Sequence, residues 1–269
     1  MAKISIKIES RILEEPNEII VYVPKKIQKK MKSNEDERGV NKTTEPYKVL
    51  YLLHGKNGDA NAFFDFTNVI AYAEKYGIIT ISTSVRNSFY TNMVYGEKYF
   101  DYLSIEVPET INSMLNLKID PLHTYILGYS MGGFGALKMG LTYPDRFRGI
   151  ASLSGSLRSM AENKRKIEDE DRRDLYLAFG DCEGSTAKEN DIFQLLEKAM
   201  ENEGKIPEIY LYCGRNDGLL EVNRTYHEYL EEKGISHIYV EDDGKHEFER
   251  WDEQIREYIK IIQSNEVQS

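Results

Sequence analysis

Residues 125–139 of the chain read YILGYSMGGFGALKM. The apolar start of this stretch, before Gly128, predicts a strand, and the sequence from Met131 onward predicts a helix. Between them, Gly128, Ser130 and Gly132 fit the motif G-x-S-x-G. In this context the motif predicts a strained strand-to-helix turn that exposes the serine hydroxyl at the edge of a sheet. We therefore interpret Ser130 as a nucleophile, and the amide of Met131 as a donor to an oxyanion.

Outward from this turn, strand and helix patterns alternate from residue 47 to the closing helix. Apolar runs typical of strands lie at residues 49–53, 78–82, 150–153, 209–212 and 238–240. Helical patterns lie at residues 60–76, 99–117, 131–143, 192–200, 219–233 and 251–262. Continuous apolar strands are typical of a parallel sheet that helices bury on both faces. We predict the α/β class, with a mostly parallel central sheet and a single domain over residues 1–269.

The amino-terminal segment falls outside this alternation. Residues 4–8 and 19–23 are predicted strands, and residues 15–18 are predicted to form the turn between them. The charged residues 25–46 are interpreted as a solvated hairpin loop, because their charge reverses from basic to acidic within a few positions. An arm that binds a polyanion is the alternative.

A second charged segment, residues 157–188, leaves the sheet after the predicted strand at 150–153. It starts at the edge that carries Ser130, so we expect a small lid-like insertion over the site. Its modest apolar content predicts that it encloses a small acyl group. A contact between two copies of the chain is the alternative.

The composition excludes several classes of protein. The chain has 35 Lys+Arg and 45 Asp+Glu, and the net charge of −10 argues against nucleic-acid binding. Two cysteines exclude a disulfide scaffold and a cysteine-rich zinc site, and neither a P-loop nor an H-E-x-x-H motif occurs. Without an apolar run of about 18 residues or a secretion-signal pattern, we expect a cytoplasmic protein with no membrane contact. We expect a small-molecule partner and no metal or organic cofactor, and a homo-oligomer stays open.

A serine hydroxyl needs a base, and in open α/β folds the partners follow in the chain order Ser, Asp/Glu, His. The five histidines are His54, His123, His227, His237 and His246. Two of them precede Ser130, one lies inside a predicted helix, and one opens a strand. His246 lies in a loop after the last strand, at the carboxyl edge where such folds bind ligands. We predict that His246 is the base.

The carboxylate that orients this base should follow an intervening strand. Asp217 comes shortly after the strand at 209–212 and is the favoured residue. Asp181 also follows an apolar run and is the rival, or else a structural or substrate-side residue. Asp242 and Asp243 are interpreted as a solvated turn.

The segment LLHGKNG, residues 52–58, ends the first buried strand in a glycine-bearing loop. Such a loop supplies the second oxyanion donor in hydrolase folds, and the amide of Lys56 is the candidate. His54 is expected to organise this loop, with catalysis as the minor alternative. Residues 89–95 should reach over the pocket and provide aromatic walls, although packing on the surface is the alternative. The pocket candidates are His54, Tyr90, Asn92, Tyr129, Asp181 and Trp251.

Together these motifs resemble the putative-esterase branch of the α/β-hydrolases. This branch includes tributyrin-type, feruloyl and acetyl-xylan esterases and S-formylglutathione hydrolase. The resemblance runs from about residue 17 to residue 263, and its motifs are residues 52–55, 95–102, 128–133, 179–181, 213–217 and 244–251. It implies the α/β-hydrolase fold, a triad of Ser130, Asp217 and His246, and an oxyanion hole formed by the amides of Lys56 and Met131. The long segment 25–46 and the charged side chain of Lys56 depart from the pattern.

The resemblance implies a serine esterase that hydrolyses acetyl to butyryl or feruloyl-type esters through an acyl-enzyme. One alternative is an acyltransferase, in which an alcohol rather than water attacks the acyl-enzyme. Another is a thioesterase such as S-formylglutathione hydrolase. A binding module without catalysis is the alternative from a different class, and the presence of all three triad residue types in order argues against it.

Overall fold

The computed structural model describes residues 2–33, 46–117, 119–201 and 206–264. In these residues the strands are β1 (Ala2–Ser10), β2 (Glu15–Val23), β3 (Val49–Leu53), β4 (Ile79–Thr83), β5 (Thr124–Tyr129), β6 (Gly149–Leu153), β7 (Glu208–Gly214) and β8 (His237–Asp242). They form one sheet in the spatial order β1-β2-β4-β3-β5-β6-β7-β8. Strands β3 to β8 are parallel, and β1 and β2 pair antiparallel. The predicted, mostly parallel sheet is confirmed.

Helices cover both faces of this sheet. They are α1 (Lys25–Ser33), α2 (Ala62–Phe66), α3 (Val69–Tyr76), α4 (Tyr99–Asp101), α5 (Val107–Leu115), α6 (Met131–Thr142), α7 (Met160–Glu170), α8 (Arg173–Phe179), α9 (Gly184–Asn190), α10 (Ile192–Glu201), α11 (Leu220–Glu232) and α12 (Phe248–Ser264). Successive residues of a strand point to opposite faces. Leu52 of β3 therefore packs in one core cluster with Ile255 of α12. Its neighbour Leu53 packs in the other cluster with Leu137 of α6.

Two predictions for the amino-terminal segment are wrong. Residues 25–33 form α1 rather than a loop, because Ile27 and Met31 lie four positions apart and pack together against the core. The turn precedes residue 15, and β2 already begins at Glu15. Proline has no N–H to donate to a neighbouring strand. Pro16 fits in β2 because β2 pairs with β4 only from Ile19 to Tyr22, so β4 needs no hydrogen bond from residue 16. Residues 34–45 of the predicted loop lie outside the described residues.

The parallel strands bring the functional loops to one edge of the sheet. The loops after β3, β5, β6, β7 and β8 all leave from their carboxyl ends, where ligands of such sheets bind. Helices α7, α8 and α9 form the predicted insertion between β6 and α10. Its role as a lid and the single-domain organisation stay predictions. In the described part of the chain, no helix has the length and apolar character needed to cross a bilayer.

Candidate active site

The turn from β5 into α6 places Ser130 in a strained backbone conformation. Ser130 has φ 56° and ψ −119°, a region that residues other than glycine rarely adopt. The start of α6 also lies against the end of β3, where a Cβ atom on Gly132 would be 1.9 Å from the carbonyl oxygen of Leu53. A side chain at position 132 therefore does not fit. The predicted strand-to-helix turn is confirmed at this point of the fold.

The structure brings together the three side chains that the sequence predicted as a triad. The Nε2 atom of His246 lies 2.9 Å from the Oγ atom of Ser130. Its Nδ1 atom lies 2.8 Å from the Oδ2 atom of Asp217. The side chain of Asp217 is 1% exposed, whereas that of His246 is 39% exposed. An imidazole that is open to solvent and hydrogen-bonded to a buried carboxylate is the arrangement that activates a serine.

The surroundings of Asp217 keep its carboxylate ionised. Burial alone would raise the pKa of Asp217, but a hydrogen bond from His246 and one from the amide of Leu219 outweigh it, and the pKa lies below its usual range. Ser154 contributes a further hydrogen bond that lowers this pKa. The Nε1–H of Trp251 donates to the same hydroxyl of Ser154 over 3.0 Å. Ser154 was missed by the sequence analysis, because only its position at the end of β6 marks it.

The loops that carry Asp217 and His246 are tied to each other. The amide of Asn216 donates to the carbonyl of Gly244 over 3.0 Å. The Oδ1 atom of Asp242 accepts hydrogen bonds from the hydroxyl of Tyr212, at 2.8 Å, and from the amide of Gly244, at 2.7 Å. The interpretation of Asp242 as part of a solvated turn is therefore wrong. Its carboxylate fixes the loop that presents His246.

The loop after β3 packs directly against the serine turn. A Cβ atom on Gly55 would lie 2.4 Å from the ring of Tyr129 and 3.2 Å from the Cβ atom of Ser130. In the described residues, neither the amide of Lys56 nor that of Met131 donates a hydrogen bond to a protein acceptor. Both amides are therefore unpaired in the described residues, and their role as the oxyanion hole stays a prediction.

His54 organises this loop from beneath. Its side chain is fully buried, its Nε2 atom accepts from the amide of Val85 at 3.1 Å, and its Nδ1 lies 2.8 Å from the carbonyl of Gly55. Burial lowers the pKa of His54 below its usual value. A neutral ring with the proton on Nδ1 satisfies both contacts. These contacts agree with the expectation that His54 organises this loop, and its full burial argues against a place in the pocket.

Comparison with known proteins assigns the family. Residues 10–260 match the family described as "Putative esterase". The chain belongs to this esterase family. An acetyl esterase from Caldicellulosiruptor saccharolyticus is 32% identical over 264 residues, covering 95% of this chain and 96% of that protein.

Two solved structures resemble this esterase over nearly its full length. The substrate-bound, fluorophosphonate-binding serine hydrolase F of Staphylococcus aureus is 28% identical with a TM-score of 0.82, covering 97% of this chain and 98% of that one. An S-formylglutathione hydrolase of Staphylococcus aureus is 27% identical with a TM-score of 0.80 and the same coverage. The fold is therefore the α/β-hydrolase fold, and the protein is a carboxylic ester hydrolase of the serine type.

In this esterase, three predicted pocket residues are buried. Tyr90, Tyr129 and Trp251 are each at most 5% exposed. Trp251 stacks on Tyr129 with ring centroids 4.6 Å apart and meets the ring of His246 edge-on at 4.8 Å. The hydroxyl of Tyr90 donates to the carbonyl of His54 at 2.8 Å. The low exposure of all three residues argues against their expected place in the substrate pocket, and the rings of Tyr129 and Trp251 pack against each other and against His246 instead.

The remaining two candidates lie away from the triad. Asn92 is exposed, is held by Asp101, and lines a cavity of about 660 Å³ that contains no triad residue. Asp181 is exposed in the turn after α8, where its carboxylate accepts the amide of Glu183 at 3.2 Å. The structure gives neither residue a contact with Ser130 or His246.

The insertion is attached to the loop that was predicted to cover the pocket. The amide of Tyr95 donates to the carbonyl of Leu177 at 3.0 Å, and the amide of Val94 donates to Ala178 at 3.2 Å. The ring of Tyr95 stacks on that of Tyr176 with centroids 5.1 Å apart, and both rings are exposed. The exposed aromatic surface of residues 89–95 is therefore at Tyr95, beside α8.

Proposed function

We propose that this esterase hydrolyses short acyl esters, from acetyl to butyryl, through an acyl-enzyme on Ser130. The observation that carries the proposal is the hydrogen-bonded series from Ser130 through His246 to Asp217, with distances of 2.9 and 2.8 Å. The similarity to an acetyl esterase over 95% of the chain supports the short acyl group. The cytoplasmic location, the absence of a nucleic-acid or membrane partner and the possible homo-oligomer stay predictions.

The chemistry follows from this geometry in two halves. The Oγ atom of Ser130 attacks the ester carbonyl carbon while Nε2 of His246 takes its proton, and Asp217 stabilises the imidazolium. The carbonyl oxygen becomes an oxyanion and accepts hydrogen bonds from the amides of Lys56 and Met131. The bond to the leaving alcohol then breaks, and His246 gives the alcohol its proton. Water, deprotonated by His246, attacks the acyl-enzyme and releases the carboxylic acid and the free serine.

A thioester is the second candidate substrate. The likeness to an S-formylglutathione hydrolase, with 27% identity and a TM-score of 0.80, favours it. Feruloyl-type esters and transfer of the acyl group to an alcohol stay alternatives on the same acyl-enzyme. Product analysis with added methanol separates transfer from hydrolysis. Only a transferase forms a larger fraction of methyl ester among the products than the fraction of methanol in the solvent.

The test is a chain-length series of p-nitrophenyl esters from acetate to octanoate, together with p-nitrophenyl ferulate and a formyl thioester. We expect kcat/KM to peak between acetate and butyrate and to fall by more than about 10³-fold in Ser130→Ala. Ser113→Ala, an exposed serine on α5, is the matched control and should match the wild type. A peak at octanoate contradicts the short acyl group, and unchanged turnover in Ser130→Ala contradicts the acyl-enzyme.

A further inference from the structure

The segment at residues 153–156, where β6 ends, holds the nucleophile by its backbone. The carbonyl oxygen of Leu153 accepts a hydrogen bond from the amide of Ser130 over 2.9 Å. The amide of Ser156 donates to the carbonyl oxygen of Ser130 over 3.0 Å. Because the amide and the carbonyl of Ser130 are both bonded to this segment, a shift of the segment would shift the serine turn with it.

The same segment is strained and closely packed. Ser154 has a φ of 47°, in the left-handed region that residues other than glycine rarely adopt. A Cβ atom on Gly133, in the first turn of α6, would lie 2.8 Å from the Cα atom of Gly155. Strained backbone persists only where surrounding contacts fix it. The segment therefore needs support from another part of the chain.

Asn223 of α11 supplies such support. Its side chain is fully buried, and its Nδ2 atom donates to the carbonyl oxygens of Gly155 over 2.9 Å and Leu219 over 2.8 Å. Both partners are acceptors, so the NH₂ end of the amide must face them. Gly155 lies 68 positions from Asn223 in the chain. One amide group thus joins the segment at 153–156 to the residue that precedes α11.

Leu219 in turn contacts the carboxylate of the proposed triad. Its amide donates to the Oδ1 atom of Asp217 over 2.8 Å. The other oxygen of Asp217, Oδ2, is the one that lies 2.8 Å from Nδ1 of His246. Asn223 is therefore bonded on one side to the segment that holds the nucleophile, and on the other to the residue that holds the carboxylate.

The packing of Asn223 does not require an asparagine. Its Oδ1 atom is buried and accepts no hydrogen bond from the described residues, which is unfavourable for stability. Each of the two carbonyls also has a second donor. The amide of Leu157 donates to Gly155 over 2.9 Å, and the backbone amide of Asn223 donates to Leu219 over 3.2 Å. Removal of the side-chain amide would leave neither carbonyl unpaired.

We propose that Asn223 is a positioning residue for the hydrolytic reaction. Its two hydrogen bonds set the position of Asp217 relative to the Ser130 turn, so that His246 can bond to both at once. This inference rests on the proposed function, since it concerns the same triad.

Asn223→Leu removes both side-chain donors with little change in shape. We expect kcat on p-nitrophenyl acetate to fall by about ten- to a hundredfold, the range for a displacement of about 1 Å in a catalytic group. KM should stay within about twofold, because acylation and deacylation both use the triad and slow together. The pH at which kcat/KM is half-maximal should also fall, since a displaced Asp217 stabilises the imidazolium less. Counting kcat per serine labelled by a fluorophosphonate removes the contribution of unfolded protein.

Two further variants isolate the bond to Gly155. In Asn223→Ser the hydroxyl can still donate to the carbonyl of Leu219, four residues earlier, but is too short to reach Gly155. It should lose as much kcat as Asn223→Leu. The matched control is Asn190→Leu, which removes another buried asparagine, whose amide donates over 2.8 Å to the carbonyl of Thr186 within α9. It should keep the wild-type kcat and pH profile.

Wild-type kcat per labelled serine in Asn223→Leu, or a loss of kcat with an unchanged pH profile, overturns the inference. Equal losses in Asn223→Leu and Asn190→Leu overturn it as well. If Asn223→Leu does not fold, Asn223→Ser decides by the same readouts. Turnover that Ser130→Ala abolishes and the Asn223 variants retain leaves the proposed function intact. Turnover that persists in Ser130→Ala contradicts both.

Discussion

The ammonium of Lys138, inside α6, donates a hydrogen bond to the carbonyl oxygen of Tyr90 over 3.0 Å. Lys138 is 3% exposed, and its charge lies 3.9 Å from the centre of the Phe100 ring. Tyr90 has a positive φ of 53°, and its hydroxyl donates to the carbonyl of His54 at the start of the loop after β3. One buried lysine thereby supports a strained segment that in turn supports the loop carrying Lys56.

Lys138 should make stability depend on pH. Burial lowers the pKa of Lys138 to about 7 from an ordinary value of 10.5. Between these values the unfolded chain binds more protons than the folded chain, so stability rises with pH, by at most about 1.4 kcal/mol per unit. We expect this slope between pH 7 and 9 to disappear in Lys138→Met, as measured by urea unfolding. The control Lys188→Met, at an exposed position, should keep the wild-type slope. Parallel curves of unfolding free energy against pH for the wild type and Lys138→Met contradict the expectation.

The two candidate carboxylates should differ sharply in kinetics. Asp217→Asn should lower kcat by about 10⁴-fold, because an amide favours the wrong imidazole tautomer. Asp181→Asn should stay within about threefold of the wild type, since its side chain contacts only its own turn. Matched kinetics on p-nitrophenyl acetate measure both. A larger loss in Asp181→Asn would transfer the orienting role to that residue.

The rate should rise with pH in a single step. The lowered pKa of Asp217 keeps this carboxylate ionised through the weakly acidic range, so its protonation does not shape the profile there. The imidazole of His246 must be neutral to accept the serine proton, and histidine side chains change charge between pH 5 and 8. kcat/KM on an activated ester should therefore increase through one ionisation in that window. A flat profile rules out a histidine base.

The ion pair between Lys56 and Asp174 joins the loop after β3 to the insertion. Burial alone would raise the pKa of Asp174, but hydrogen bonds from Arg172 and Lys56 hold it well below its usual range. Lys56→Met should lower kcat/KM by up to about fivefold, the range for a partly exposed pair. Asp174→Asn should cost more, because it also leaves Arg172 without its partner. If the ion pair links the two segments, a double-mutant cycle should give a coupling energy of about 0.5–1 kcal/mol. Additive losses of kcat/KM in the double variant contradict the link.

The local part of this site was predictable from the sequence. Gly128 is required by its close contact with the backbone of Gly132, four residues later, although Gly132 itself is required by the distant carbonyl of Leu53. The order of Asp217 and His246 follows from the parallel sheet. The burial of His54 could be anticipated as loop support, because the residue follows a strand directly. Motif and topology together are therefore enough to predict the proposed triad.

Other features depend on contacts that no local pattern reveals. The helical character of α1 follows from two apolar residues, Ile27 and Met31, whose packing outweighs the charges around them. Asp242 acquires its role from Tyr212, thirty positions earlier on the neighbouring strand. Trp251 and Tyr129 face the interior because their rings stack on each other. Such long-range pairings are set by tertiary structure, which composition and periodicity do not encode.

The proposed reaction depends on Ser130 forming the acyl-enzyme. The most direct measurement is mass spectrometry of the protein after reaction with a fluorophosphonate, with peptide mapping of the modified residue. We expect one adduct, on Ser130, that forms in parallel with the loss of p-nitrophenyl acetate turnover and is absent in Ser130→Ala. An adduct on another residue, or full turnover in a chain modified at Ser130, would contradict it.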